Sequence, residues 1–212
     1  MSEANSPLES YIQSAAPEDP ARDHAREVAT EFGLTTPDEA TGELLTVLSS
    51  LVASPAQAAA IAVTPAAGLV GYYLFRGLGP SGHVTCIDPE SEHQSHARAI
   101  FQEAGFTKFR FLPSRPLDVM GRLAGDSYQI IVGDVDPAEL PAFVEAAWPL
   151  LHAGGLLVIL NSLGFVADRG STSDKAAAGA QAGDQALSER ADAQLVRLPL
   201  GDGVTIARKL AS

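Results

Sequence analysis

Short apolar runs alternate with longer amphipathic segments through most of the chain. The run 58–63 is apolar at every position, which is typical of a parallel strand covered on both faces. The five strands predicted from such runs are 58–63, 83–87, 108–112, 129–133 and 156–161, and the helices predicted between them are 66–77, 90–104, 116–123 and 137–151. This alternation predicts an α/β, doubly wound (Rossmann-like) fold, with a mostly parallel sheet and helices on both faces.

The regular alternation ends after residue 161. Residues 164–185 are rich in Ala, Gly, Ser and Asp, which predicts a mobile loop that leads into a helix reaching Leu187 or beyond. Two strand-like runs, 193–200 and 204–210, then flank Gly201-Asp202-Gly203, a strong hairpin signal. We therefore predict a seven-stranded sheet closed by a C-terminal antiparallel hairpin.

The N-terminal part of the chain differs from the rest. Residues 7–32 are polar with scattered apolar positions, which indicates one or two peripheral helices. We predict a helical extension over residues 1–33 and a main domain over residues 34–212. The sequence Thr36-Pro37-Asp38-Glu39 predicts a capped helix start just after that boundary, with the threonine as cap and the proline in the first turn.

One stretch of the chain allows a second interpretation. Residues 44–75 contain no charged residue and are long enough to cross a bilayer. Several serines, Gln57, Pro55 and Pro65 interrupt the stretch, and such interruptions leave backbone groups without hydrogen bonds in lipid. We favour a helix, a strand and a second helix, each buried in a protein core.

Composition and charge narrow the classes of function. With 212 residues, 46% of them hydrophobic, the chain can form one compact core. Its net charge of -12 repels nucleic acids and anionic membranes, so neither is expected as a partner. The single cysteine, Cys86, cannot form an internal disulfide, which fits a reducing compartment. The first residues lack a signal-peptide pattern, and we expect a cytoplasmic protein.

Residues 58–90 have the outline of a nucleotide-binding unit: a strand, a turn, a helix and a second strand. The turn at 63–68 carries only one glycine, Gly68, where such units carry several. Asp88 lies 20 residues after Gly68, at a position suited to ribose hydroxyls. Two structural alternatives remain: a simple strand-to-helix turn, and Asp88-Pro89 as the start of the next helix.

Four segments, in the same order, resemble the S-adenosylmethionine-dependent O-methyltransferases related to catechol and caffeoyl-CoA O-methyltransferases. Residues 36–45 resemble the first helix of that family, residues 84–88 with 104–106 its second strand and following helix, Asp134-Val135-Asp136 the end of its fourth strand, and residues 198–204 its closing hairpin. The chain is thereby identified as a divergent member of this class I family.

The resemblance implies S-adenosylmethionine as cofactor. The family's acid after the first strand aligns with Ala62, and its three glycines align with Thr64, Ala66 and Gly68. The cofactor-binding positions that it implies are Ala62, Thr64, Ala66, Gly68, Val70, Asp88, Arg115, Pro116 and Asp134. Because Pro65 has no N–H, weaker binding than in the family is expected.

The family's metal site is altered. Catechol-type members hold a divalent cation between one Asp and an Asp-Asn pair, which correspond here to Asp134 and Leu160-Asn161. One carboxylate is lost, and a hard cation needs several oxygen ligands, so no metal is expected. The family's lysine base aligns with Pro137, and Asp136-Pro137 with Glu139 predicts a helix cap. Asp134 is the predicted catalytic residue.

Two functions remain open. The first is a metal-independent O-methyltransferase that acts on a small-molecule hydroxyl, with a homodimer expected because the family's members are commonly dimers. The second is a degenerate relative that binds the cofactor weakly or not at all and has a binding or regulatory role. His93 and His96, one helical turn apart, are interpreted as a solvated helix face, with a surface metal site as the alternative.

Overall fold

A computed structural model describes residues 7–54, 58–167 and 174–211. The helices are Pro7–Ala15 (α1), Pro20–Glu31 (α2), Glu39–Val52 (α3), Ala67–Leu78 (α4), Ser91–Glu103 (α5), Pro116–Val119 (α6), Leu140–Ala147 (α7), Gly164–Ala167 (α8) and Asp174–Ser188 (α9). The strands are Ala59–Val63 (β1), His83–Ile87 (β2), Phe109–Leu112 (β3), Tyr128–Gly133 (β4), Leu151–Ile159 (β5), Ala193–Leu198 (β6) and Val204–Lys209 (β7). Short 3-10 turns lie at Met120–Arg122, Pro137–Glu139 and Trp148–Leu150.

The strands form one sheet of seven in the order β3-β2-β1-β4-β5-β7-β6. Strands β1 to β5 run parallel, and β7 pairs antiparallel with both β5 and β6. The prediction of a doubly wound, mostly parallel sheet with a C-terminal hairpin is confirmed. The strand order reverses between β1 and β4, and in such folds the crevice beyond the carboxyl ends of these strands is where ligands bind.

The strand β1 shows why the sheet is covered on both faces. Successive side chains of a strand point to opposite faces. Ala60 and Ala62 lie in a core that includes residues of α3, α4 and α5, whereas Ile61 and Val63 lie in the core shared with α7. The small alanines allow α4 to pack closely on the first face.

The helix α2 packs against α4 and α5. Its residue Ala25 is buried in the same core as the sheet. At its start, the Tyr72 hydroxyl of α4 donates to the carboxylate of Asp19, at 2.8 and 2.7 Å, and Asp19 also caps α2. Of the one or two N-terminal helices predicted, two are therefore present, and α2 is held on the main domain. The domain boundary at residue 33 stays a prediction.

The helix predicted to reach Leu187 or beyond is confirmed, because α9 spans Asp174–Ser188. The loop predicted to begin at residue 164 was wrong at its start, where the short helix α8 lies. Residues 168–173 of that segment lie outside the described residues. The alanines favour a helix, and two glycines are present for close packing. A Cβ on Gly179 would collide with the carbonyl oxygen of Pro137, and one on Gly183 would lie 2.6 Å from Cγ of Leu140.

Two predicted boundaries were also wrong. The cap of α3 is Asp38, whose carboxylate accepts a 2.7 Å hydrogen bond from the Thr41 N–H; it therefore supplies the cap expected of the threonine at position 36. The helix predicted to reach residue 151 ends before the 3-10 turn Trp148–Leu150, and β5 begins directly after that turn.

The described parts of 44–75 form the end of α3, β1 and most of α4. Within the parts of the chain that the structure describes, no helix has the length and apolarity needed to span a bilayer. The helix-strand-helix interpretation of this stretch is therefore confirmed for those residues.

Candidate functional site

The carboxyl ends of β1, β4 and β5 are joined by backbone hydrogen bonds at the strand-order reversal. The N–H of Asp134 donates to the Val63 carbonyl at 2.8 Å, and the N–H of Leu160 donates to the Gly133 carbonyl at 2.9 Å. Asp134 therefore lies between the turn that follows β1 and the turn that follows β5. Asp88 directly follows β2, on the other side of β1, about 10 Å away by strand spacing.

The turn between β1 and α4 uses a side chain where the family has glycine. The buried Thr64 hydroxyl accepts a hydrogen bond from the Ala66 N–H at 3.1 Å, and Pro65 has no N–H to offer. Ala66 is the residue before the first helical turn of α4. The backbone donors that a helix start leaves without intrahelical partners are therefore those of Ala67 and Gly68.

Gly68 serves the contact between two helices. A Cβ at this position would lie 2.8 Å from Cδ1 of Ile100 and 3.4 Å from Cα of Ala97, both on α5. The side chains of Ala62 and Val70 are fully buried in the core. The role of these three predicted cofactor positions in binding stays a prediction.

Asp88 is buried, with 4% exposure. Its Oδ2 lies 2.8 Å from Nδ1 of His93, and its carboxylate also accepts a hydrogen bond from the backbone of Glu90. Burial raises the pKa of Asp88, and the hydrogen bond from His93 opposes that rise. The helix α5 starts at Ser91, with Glu90 at its cap position, so the interpretation of Asp88-Pro89 as the helix start was wrong.

The interpretation of His93 as part of a solvated helix face was also wrong. Only 16% of its side chain is exposed, and the edge of the Phe32 ring lies against it, with ring centroids 5.6 Å apart. His96 contacts the same ring at 4.8 Å but is exposed. The sequence signal for this arrangement was weak: a histidine five residues after an acid, in the first turns of a helix.

Asp134 and Asn161 are brought together as the sequence predicted. The side-chain amide of Asn161 donates to Oδ1 of Asp134 at 3.0 Å. Burial raises the pKa of Asp134, and this hydrogen bond opposes the rise. Asn161 has a φ of +53°, a left-handed conformation that asparagine tolerates.

The hairpin between β6 and β7 holds the turn that carries Asn161. The N–H of Ser162 donates to the Gly203 carbonyl at 2.9 Å, and the Ser162 and Thr205 hydroxyls lie 2.8 Å apart. Gly203 has a φ of +90°, and a Cβ there would collide with Leu163. The hairpin glycine is therefore required for this close contact, and the contact fixes the amide beside Asp134.

The donor set at this position does not fit a divalent cation. Leu160, where the family has a carboxylate, is 5% exposed and belongs to the core. Asp134 is the one carboxylate left of that set, and it is bonded to an amide N–H. Over the described ranges, no group of three or more His, Cys, Asp and Glu side chains is placed to hold a metal ion.

The remaining predicted residues lie toward the edge of the crevice. Pro116 is the first residue of α6. The guanidinium of Arg115, 67% exposed, donates to Oε1 of Glu139 at 2.7 Å, which links the segments after β3 and β4. Asp136 caps the 3-10 turn Pro137–Glu139 by accepting from the Ala138 N–H at 2.8 Å, so the cap prediction is confirmed.

A cavity of about 200 Å³ lies beside Asn161. It is enclosed by the segment before α3, the turn after β5 and the hairpin tip, and its lining residues are Thr35, Thr36, Pro37, Asp38, Thr41, Leu160, Asn161, Leu200, Gly201, Asp202 and Val204. The charged residues in this lining are two aspartates. Sequence patterns gave no sign of this cavity, because its walls come from three segments far apart in the chain.

Comparisons with known proteins agree with this geometry. Residues 31–210 match a family model described as O-methyltransferase. A Mycobacterium sp. (strain KMS) relative classed as an O-methyltransferase is 33% identical over 202 residues, covering 94% of this chain and 90% of that protein.

Two crystal structures show the same fold. A Corynebacterium glutamicum protein is 48% identical, with a TM-score of 0.91 and coverage of 97% of this chain and 96% of that one. The O-methyltransferase TomG of Streptomyces achromogenes, in complex with S-adenosylmethionine, is 23% identical, with a TM-score of 0.82 and coverage of 96% of each chain.

Proposed function

The chain belongs to the O-methyltransferase family, and from this membership we propose that it transfers a methyl group from S-adenosylmethionine to a small-molecule hydroxyl without a divalent metal. The observation that carries this proposal is the half-buried Asp134 carboxylate, which accepts a hydrogen bond from Asn161 at the strand-order reversal beside the cofactor turn. Leu160 removes one ligand of the family's metal site and leaves this carboxylate in place.

The cofactor half of the crevice retains three groups for binding. The N–H groups of Ala67 and Gly68 at the start of α4 suit a carboxylate, and the Asp88 carboxylate suits ribose hydroxyls. When bound, S-adenosylmethionine supplies a methyl group on a positively charged sulfur. The altered turn, with its Thr64–Ala66 hydrogen bond, supports weaker binding than in relatives that have three glycines.

The acceptor half of the crevice, formed by Asp134, Asn161 and the cavity beside Asn161, depends on Asp134. A carboxylate whose pKa is raised by burial is a better proton acceptor for a hydroxyl than an exposed one. Its hydrogen bond from Asn161 keeps one oxygen in place, so the other can orient the hydroxyl. Positioning of the two reactants supplies a large part of the rate of such a transfer, and this role requires no metal.

The cavity beside Asn161 supports a small acceptor that is neutral or positively charged. Its charged lining residues are Asp38 and Asp202, and Asp134 adds a third carboxylate across the Asn161 amide. The nearby guanidinium of Arg26 donates to the Pro37 carbonyl at 2.9 Å and pairs with Glu39 at 3.4 Å. A phosphorylated or carboxylated acceptor would meet side chains of the same sign of charge there.

A matched series of phenols tests this proposal. Tyramine, 4-ethylphenol and 4-hydroxyphenylacetate have similar sizes and carry positive, zero and negative charge. In the presence of EDTA, we expect radiolabelled methyl transfer to the first two and little to the third. Preference for the anion would contradict the acceptor class, and a strict requirement for Mg²⁺ would contradict metal independence.

A second candidate function is supported by the cofactor turn itself. Ala62 replaces the family's acid, and neither Ala66 nor Pro65 has a free N–H for a ligand. A protein that binds the cofactor weakly and has a binding or regulatory role fits these changes. Cofactor binding without transfer to any acceptor in a broad phenol and alcohol panel would favour it.

A further inference from the structure

Asp88, the carboxylate predicted to bind ribose, lies within hydrogen-bond distance of a histidine, His93. We propose that His93 is a positioning residue that holds Asp88 in the orientation and ionisation state needed for the ribose of the cofactor. This inference rests on the proposed function, because it assumes that Asp88 binds S-adenosylmethionine. It concerns a histidine that never needs to touch the ligand.

The geometry gives His93 one clear partner. Its Nδ1 lies 2.8 Å from Oδ2 of Asp88, and an ionised carboxylate can only accept hydrogen bonds, so Nδ1 carries the hydrogen. A carboxylate has about four acceptor positions. His93 and the backbone of Glu90 use two of them, which leaves acceptor capacity for two ribose hydroxyls.

The position of His93 is itself fixed. Its side chain projects from the first turns of α5, and the edge of the Phe32 ring packs against it. Phe32 is the C-terminal cap residue of α2, and its N–H is bonded to the carbonyls of Thr30 and Val28. The end of α2 therefore supports Asp88 through two successive contacts, Phe32 to His93 and His93 to Asp88.

Ionisation of Asp88 also depends on His93. The groups that face this carboxylate are His93 from α5, Glu90 beside it and the Cys86 thiol of β2, whose pKa burial raises. Burial raises the pKa of Asp88, the neighbouring Glu90 raises it further, and the hydrogen bond from His93 lowers it. Without His93 the carboxyl would stay protonated to a higher pH, and a protonated carboxyl accepts fewer hydrogen bonds from hydroxyls.

His96 provides a matched control within the same helix. It contacts the Phe32 ring at 4.8 Å, as His93 does at 5.6 Å, but it is exposed and lies one helical turn farther from Asp88. Substitution of His96 therefore removes a contact with Phe32 and leaves the carboxylate with its hydrogen bond. A change of affinity in the His93→Leu protein that His96→Leu lacks is therefore not explained by the lost contact with Phe32.

The test is calorimetric titration with S-adenosylhomocysteine between pH 5 and 8 on four proteins: the wild type, His93→Leu, His93→Asn and His96→Leu. His93→Leu should misplace or neutralise the carboxylate that accepts a ribose hydrogen bond, and loss of one hydrogen bond to a charged group corresponds to about tenfold or more. His93→Leu should therefore bind at least tenfold more weakly. Its loss of affinity on acidification should also begin at a higher pH than in the wild type. His93→Asn, whose amide can donate from near the Nδ1 position, should recover most of the affinity, and His96→Leu should match the wild type.

Equal affinity and equal pH dependence of His93→Leu and the wild type would overturn the inference alone. Absence of binding by the wild type would overturn the proposed function together with it. Imidazole NMR of the wild type gives a second test that does not depend on the folding of a variant. Addition of S-adenosylhomocysteine should shift the His93 signals and leave those of His24 and His152 unchanged; unshifted His93 signals in the bound protein would also contradict the inference.

Discussion

The two halves of the crevice have each lost residues typical of the family, with different consequences. In the turn after β1, the Thr64 hydroxyl bonds the Ala66 N–H at 3.1 Å, so glycines are replaced while the helix start remains. After β5, Leu160 enters the core in place of a carboxylate. The first change reduces the number of backbone donors. The second removes one of the oxygen ligands that a divalent cation needs.

The two halves nevertheless share one design. Each keeps one carboxylate, buried Asp88 in one half and half-buried Asp134 in the other. Each carboxylate receives a hydrogen bond from one neighbouring side chain: His93 to Asp88 at 2.8 Å and Asn161 to Asp134 at 3.0 Å. The two hydrogen-bond donors are held by different parts of the molecule. Phe32, at the end of α2, packs against His93, whereas the β6–β7 hairpin holds the turn that carries Asn161. Cofactor binding and catalysis should therefore respond to different substitutions.

Asp134→Ala should give the largest effect in the acceptor half. Loss of a positioned proton acceptor lowers kcat by about 10²–10⁴-fold, while affinity for S-adenosylhomocysteine should change far less. Steady-state kinetics and calorimetry separate the two effects. Asp136→Ala is the control, because that exposed residue only caps a 3-10 turn; equal losses of kcat in both variants would contradict a catalytic role for Asp134.

Leu160→Asp would restore the family's carboxylate and test the difference between the halves directly. An uncompensated buried charge costs about 3–5 kcal/mol, so the free energy of unfolding should fall by that amount in EDTA and recover in part with Mg²⁺. Denaturant unfolding measures both. Leu160→Asn should also be destabilised but insensitive to Mg²⁺, and stabilisation of the wild type by Mg²⁺ would show that a metal site persists.

Asp88→Ala should act on the cofactor half alone. Loss of hydrogen bonds from ribose to a charged acceptor weakens S-adenosylmethionine binding by about 10–100-fold, as measured by calorimetry. Glu92→Ala, an exposed change on the same helix, should leave the affinity unchanged. An unaltered dissociation constant for Asp88→Ala would show that Asp88 does not bind the ribose.

Gly68→Ala should give the smallest change, and mainly in stability. The added Cβ would press on Ile100 and Ala97 of α5, and overpacking of this kind costs about 1–3 kcal/mol. Thermal or denaturant unfolding measures the loss. Gly121→Ala is the control, since nothing lies within 4 Å of a Cβ there; equal stability of the two variants would show that α4 and α5 can separate without cost.

Most of the fold could be predicted from the sequence, because apolar strand runs and the hairpin signal at Gly201-Asp202-Gly203 are local patterns. Asp134 and Asn161 could be placed together because the carboxyl ends of adjacent parallel strands meet. The contact of Phe32 with His93 could not, since it depends on how α2 lies against α5. The helix reaching Leu187 could be predicted from its composition, but the packing of Gly179 and Gly183 on the segment 137–140 could not, because that contact joins segments far apart in the chain.

Calorimetric titration of the chelator-treated wild type with S-adenosylmethionine, repeated with Mg²⁺, is the most direct test of a crevice that binds its cofactor without metal. The account predicts measurable affinity in EDTA and the same dissociation constant with Mg²⁺. No binding at millimolar ligand, or binding only when Mg²⁺ is present, would contradict it.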